Sequence, residues 1–330
     1  IPTIKSNVPS MFSFRGEVAR LIAGKPKNTQ LQGESNVYID DFEGAQTNID
    51  IKGFNSWRLS SIPYKNFKGS EIKNYDISSG FGRAKLAWYS IDPIFYAGGR
   101  PEGINNDDIS MNTTRRIFIK EIFPEQDLIQ GTTTVQNTLD LAYYPFEIGP
   151  YNNVTEDEFK GDVSENWAGI MRPINATNFE QSNVEFIEFW LLDTFSEIST
   201  NGDYLGELYF HLGNISEDIL KDGRKQFENG LPGVNGQNLV HKTPWGKVPS
   251  TQSLLYAFNT VTEDREVQDV GFDGLDDDQE RLIYNNGPLD DPARDNYEFF
   301  VASKGGILDR YKNYNGTQGN SPVAFSDTNR

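Results

Sequence analysis

The chain has 330 residues and a formal charge of −18, with 48 acidic against 30 basic side chains and no cysteine. The absent thiols exclude disulfides, thiolate zinc sites, iron–sulfur clusters and thiol catalysis, and the negative charge disfavours phosphate backbones and anionic headgroups as partners. Aromatic residues reach 13%, with 22 Phe and 15 Tyr against 3 Met, which suits pleated, half-buried strands, and 30 Gly and 16 Pro supply turns, so composition predicts an all-β domain.

Residues 1–36 read as a lead-in, with weak strand alternation over 11–19 and a polar stretch over 24–35. The chain opens on Ile1, shows no signal peptide and holds no apolar run near the ~20 residues of a membrane helix, so it reads as a processed chain or a piece of a longer one. Residues 37–260 carry the punctuation of a sandwich. Strands are predicted at 37–42, 49–54, 57–61, 83–89, 115–123, 138–144, 184–192 and 206–212, with Gly, Asn, Asp and Pro between them. The segment 184–192 is apolar on both faces apart from Glu185 and Glu188, which predicts a central strand between two layers. In 206–212, Leu208, Phe210 and Leu212 share one face while Glu207, Tyr209 and His211 share the other, the pattern of a half-exposed strand. Long connections at 97–114 and 149–166 are candidates for functional loops. Residues 261–330 read as an acidic loop, a short helix near 279–285 and a mostly extended tail.

Histidine-centred catalysis is poorly supplied, since His211 and His241 are the only histidines and neither sits in a catalytic motif. Paired carboxylates are the remaining enzymatic route, with Asp40, Asp41 and Glu43 at one strand end and Glu185 and Glu188 on another strand. The sharpest local motif is the stretch 269–280. Set against a twelve-residue calcium loop it places Asp269, Asp273 and Asp277 at positions 1, 5 and 9, Gly274 at the sharp turn, Leu275 at the backbone-carbonyl position and Glu280 at position 12. Position 3 is Gly271, which supplies no side-chain oxygen. The alternative reading is a capping box, Asp277-x-x-Glu280, that opens a short helix with no ion. Among aromatics that could stack on a sugar (Trp88, Tyr89, Tyr96, Trp167 and Trp245), Trp88 is read as core, as is Trp190; the loop-placed Trp167 and Trp245 are the candidate surface for a ligand or partner.

Several phrases recur together: Tyr38-Ile39-Asp40-Asp41-Phe42-Glu43-Gly44 with Trp57-Arg58-Leu59-Ser60-Ser61, then LAWYSIDPIFY at 86–96, IFPEQD at 122–127 and TLDLAYYPFEIGPYN at 138–152. After these come NVEFIEFWLLD at 183–193, the run at 206–233, residues 269–281 and NGTQGNSP at 315–322. Nearly the whole chain thereby resembles an internal stretch of the SprA (Sov) family, the giant outer-membrane translocon of type IX secretion and gliding motility in Bacteroidetes. The resemblance implies a parent chain that forms a transmembrane β-barrel through which folded cargo leaves the periplasm. The opening Asp-Asp-Phe-Glu-Gly also resembles galactose-binding-like jelly rolls, in which acids near the first strand often hold structural calcium, and this nominates Asp41 and Glu43 as an alternative site.

Residues 37–260 lack the apolar-out segments of a barrel wall. The expected fold is therefore a jelly-roll (galactose-binding-like) β-sandwich with long loops, inserted in the barrel chain on the extracellular or periplasmic side of the bacterial outer membrane. The expected function is non-catalytic: a structural and interaction module of the translocon. Its expected partners are other secretion-system components, exported cargo and the rest of the parent barrel, with structural Ca2+ as the candidate cofactor. The alternative is a carbohydrate-binding module of a secreted polysaccharide-degrading protein; a carboxylate-dependent glycosidase comes third.

Overall fold

The computed structural model describes residues 49–63, 70–174, 184, 186–194, 206–224, 231–251, 258–259, 261–268, 270–288 and 290–314. The chain divides into two units, Ile1–Asn48 with Asn178–Glu185, and Ile49–Thr177 with Phe186–Arg330. Apart from Val184, every described residue belongs to the second.

Small antiparallel strand pairs dominate the regular structure, and the fold is β-rich. The strands are β1 (Arg58–Leu59), β2 (Ala84–Tyr89), β3 (Ile117–Phe118), β4 (Val135–Gln136), β5 (Asp140–Ile148), β6 (Ile170–Met171), β7 (Val240–Lys242) and β8 (Lys247–Pro249). They form four two-stranded sheets, β1–β6, β2–β5, β3–β4 and β7–β8. Among the described residues five short α-helices accompany them, α1 (Ile119–Ile122), α2 (Glu156–Gly161), α3 (Thr262–Glu266), α4 (Asp277–Glu280) and α5 (Ile307–Tyr311), with five 3₁₀ turns between elements.

The organising element is β2, paired with β5 in a register broken by an irregularity between Ala84 and Lys85. Its alternation buries both faces. Trp88 enters a cluster with Leu59, Tyr151, Met171, Ile219, Leu220, Trp245 and Phe272, while Ala87 and Tyr89 enter a second with Phe95, Ile104, Phe300, Ile307, Tyr311 and Tyr314. The Tyr89 and Tyr311 rings stack with centroids 4.1 Å apart, and Phe300 stacks on Tyr311 at 4.7 Å. Burying such rings contributes a large share of core energy per residue. A third, smaller cluster joins Ala84, Ile148, Val154 and Phe159 at the end of the β2–β5 pair.

Residues 297–314, expected in an extended tail, pack instead into the second cluster and belong to the same unit as β2. Arg310 fixes them there. Its buried guanidinium donates to the carbonyls of Glu102 (2.7 Å), Phe300 (3.2 Å), Val301 (3.1 Å) and Gly305 (2.9 Å).

Four other expectations are corrected. The strand expected at 115–123 stops after Phe118, because the Glu121 carboxylate accepts the Phe118 N–H at 2.9 Å and turns the chain into α1. Residues 49–53 make no strand and lead into a 3₁₀ turn at Phe54–Ser56. The segments 186–192 and 206–212 form no strand, since no described element pairs with them; an extended run needs a partner ladder to satisfy its backbone. They lie exposed, with Trp190 67% accessible where a core position was expected. The strand expected at 37–42 lies outside the described residues.

Candidate metal centre

The loop 270–276 turns sharply twice, at Gly271 (φ 84°) and Gly274 (φ 74°), in backbone conformations that disfavour any side chain. The first turn also needs glycine for space, since a Cβ on Gly271 would collide with the Asp295 carboxylate. The loop is clamped from two sides: the Lys247 N–H at the start of β8 donates to the Asp273 carbonyl at 2.7 Å, and the Tyr151 hydroxyl donates to the Phe272 carbonyl. Beside it the buried Tyr284 hydroxyl donates to the Trp245 carbonyl at 3.0 Å.

Within this frame Asp273, Glu280 and Asp295 converge. All three are buried, and each offers one carboxylate oxygen such that the three oxygens lie within 4.8 Å of one another. Backbone amides orient each group. Leu275 N–H donates to Asp273 Oδ1 (2.8 Å), Ala293 N–H to Glu280 Oε2 (2.9 Å), and the Phe272 and Asp273 N–H groups both to Asp295 Oδ2 (2.6 and 3.1 Å). Glu280 has no accessible surface, and its Oε1 atom is buried with no hydrogen-bond donor.

The electrostatics are those of crowded anions in a dry setting. Burial holds the Glu280 and Asp295 carboxyls well above the usual range, reinforced for Glu280 by Asp295 and for Asp295 by Asp291. Asp291 is raised by burial too, against the pull of Lys85. Two ammoniums border the site: the buried Lys85, reaching this side from β2, donates to the Arg294 carbonyl at 3.3 Å and is attracted most strongly by Asp291, then by Asp295 and Glu147, while Lys247 is attracted by Asp276 and Asp273. Three carboxylates in such a place either share protons or ligate a cation.

Of the residues nominated from the calcium-loop spacing, Asp273 and Glu280 meet. Leu275 contributes its N–H to Asp273 and buries its side chain. Asp277 stands outside the trio and accepts from Asn296 Nδ2 at 3.2 Å. Asp269, and the alternative pair Asp41 and Glu43, lie outside the described residues. The expected box is replaced by a simple cap one residue earlier: Asp276, not Asp277, accepts the Gln279 N–H at 2.9 Å and caps α4. The helix expected near 279–285 is correspondingly α4, Asp277–Glu280, followed by turns.

The two tryptophans expected at a ligand or partner surface are buried, Trp167 at 4% and Trp245 at 1% exposure. The Trp167 ring lies under the buried Arg83 guanidinium, 4.5 Å from its centroid, and burial lowers that guanidinium to about 10. Trp245 packs beside Trp88 and Phe272 in the first cluster. Of the carboxylates considered for hydrolysis, Glu188 is exposed, and Asp40, Asp41, Glu43 and Glu185 lie outside the described residues. His211 and His241 are both exposed. No family model and no curated protein matches the chain.

Proposed function

We propose that this chain is a non-catalytic structural and interaction module of an outer-membrane protein-secretion translocon of the type IX, gliding-motility class, and that it works by offering two exposed apolar segments to its assembly. The observation that carries the reading is the pair of apolar segments at 186–192 and 206–212. Phe186, Ile187, Phe189, Trp190, Leu191 and Leu192 are all exposed, as are Leu208, Tyr209, Phe210 and Leu212. Contiguous apolar surface of this kind marks an interaction site rather than ordinary solvent-facing surface.

The two segments also keep strand-like sequences and join no sheet among the described residues, and exposed segments of that kind can add to another chain by β-augmentation. Phe189 and Phe210 already meet, with ring centroids 5.3 Å apart. On this proposal the jelly-roll sandwich is completed when both segments pair, with the remainder of the parent barrel, a secretion-system component or exported cargo supplying the edge. The family likeness of the quoted phrases supports the outer-membrane setting. No helix among the described residues is long and apolar enough to cross a membrane, which bears on helical spans alone. A glycan-binding reading loses its two nominated rings to the core.

The test is made in the full parent chain. Phe189→Asp combined with Trp190→Asp should abolish cargo export and co-purification of secretion components while the parent protein still accumulates. Normal export from that variant, with Trp190 of the wild-type assembly still quenched by acrylamide as in the isolated chain, would refute the proposal.

A further inference from the structure

We propose that Asp273, Glu280 and Asp295 bind a single divalent cation, calcium, that locks the 270–280 loop to the 291–295 turn. The first ground is geometric. Ligand oxygens of one calcium ion, each at about 2.4 Å, stand at most about 4.8 Å apart when opposite one another. The three carboxylate oxygens lie within 4.8 Å, so one position can serve all three.

The second ground is independent of the clustering. Glu280 is completely buried, one of its oxygens is held by the Ala293 N–H, and the other, Oε1, receives no hydrogen bond. A buried carboxylate oxygen without a donor is costly, by more than a neutral acceptor would be. A cation bound beside it removes that cost.

The ligand class follows from the donors: all are carboxylate oxygens, with no histidine or thiol, which suits a hard cation. Two of the carboxylates come from one loop and the third from the following turn, with the Phe272 and Asp295 pairing already spanning 23 residues, so binding closes a loop as well as neutralising charge.

The test uses the whole 330-residue chain, stripped with a chelator and titrated with calcium. The melting temperature should rise by about 4 °C when calcium stands a hundredfold above its dissociation constant. Terbium should give emission sensitised through the buried Tyr284, which interacts with all three carboxylates, and calcium should displace it. Glu280→Gln should lose the thermal rise, whereas Asp278→Asn, which alters an exposed acid of the same loop, should keep it. If Glu280→Gln does not fold, Asp295→Asn takes its place and the wild-type terbium signal decides. The proposal is overturned by a wild type that shows neither shift nor emission, which would leave the trio as a proton-sharing cluster. It is equally overturned by a shift that survives Glu280→Gln, or one that Asp278→Asn abolishes.

Discussion

Replacing Arg310 with Met keeps most of the side-chain volume and removes the guanidinium that ties 300–310 to the loop after β2. Four carbonyls lose a charge-assisted donor, those of Glu102, Phe300, Val301 and Gly305. Only the Phe300 bond is fully buried, so that carbonyl bears the desolvation cost of an unpaired acceptor, roughly 1–3 kcal/mol. The other three carbonyls are partly accessible and regain water, so each loses only the net value of its bond, about 1 kcal/mol. The net value of each bond already includes the desolvation of the guanidinium, so the total loss comes to about 4–6 kcal/mol. Urea unfolding followed by far-UV circular dichroism measures it as a lower midpoint at unchanged slope. Arg310→Lys should recover less than half, because one ammonium cannot span four carbonyls in a planar fork. A loss under about 1 kcal/mol for Arg310→Met would refute the reasoning that this side chain fastens the C-terminal segment to the β2 core.

Two further outcomes follow from burial and exposure. Burial raises the Asp140 carboxyl to about 6, against hydrogen bonds from Thr138 Oγ1 and the Ile91 N–H, with the neutral Tyr89 and Tyr96 hydroxyls as its other neighbours. Because the folded state holds this proton more tightly than the unfolded chain, the contribution is complete below about pH 4 and is lost as pH rises through 6; Asp140→Asn should remove at most about 3 kcal/mol of the pH dependence of the unfolding free energy across that window, measured by urea titration at each pH. Trp88→Ala, in the first core cluster, should cost about 3–5 kcal/mol by calorimetry, whereas Trp190→Ala, on the exposed segment, should stay within about 0.5 kcal/mol. Equal costs at the two positions would contradict the exposure of 186–192.

What the sequence made legible was local, and what it hid was mostly pairing across distance. β2 stood out because Trp88 flanked by Ala87 and Tyr89 can satisfy two clusters only from a strand covered on both sides. The break after Phe118 was hidden in an apolar run, since it depends on Glu121 reaching back to an amide rather than on hydropathy. For 186–192 and 206–212 the pattern reads strand in either case; whether a strand forms is decided by a neighbour, and none of the described residues supplies one. The C-terminal packing did leave a trace: Ile307 and Tyr311 are one helical turn apart, and Tyr297, Phe300 and Tyr314 surround them. Arg310, between them in sequence, gave no sign that it would be buried.

The acidic loop shows most directly why a motif can nominate the right residues for an incomplete reason. The calcium-loop spacing and the capping box compete for the same side chain, because a Glu280 folded back on its helix start cannot also ligate an ion. The fold removes that competition. Asp276 takes the cap one residue earlier, with both its oxygens used by Gln279, and Glu280 is left to project inward, where Ala293 orients it. Asp277, displaced from both roles, pairs with Asn296. The third carboxylate then comes from Asp295, outside any twelve-residue window, because the Gly271 turn brings two backbone amides within reach of its Oδ2. A helix cap and an acidic centre therefore coexist on one turn of helix, and the cap is what frees Glu280 for the centre.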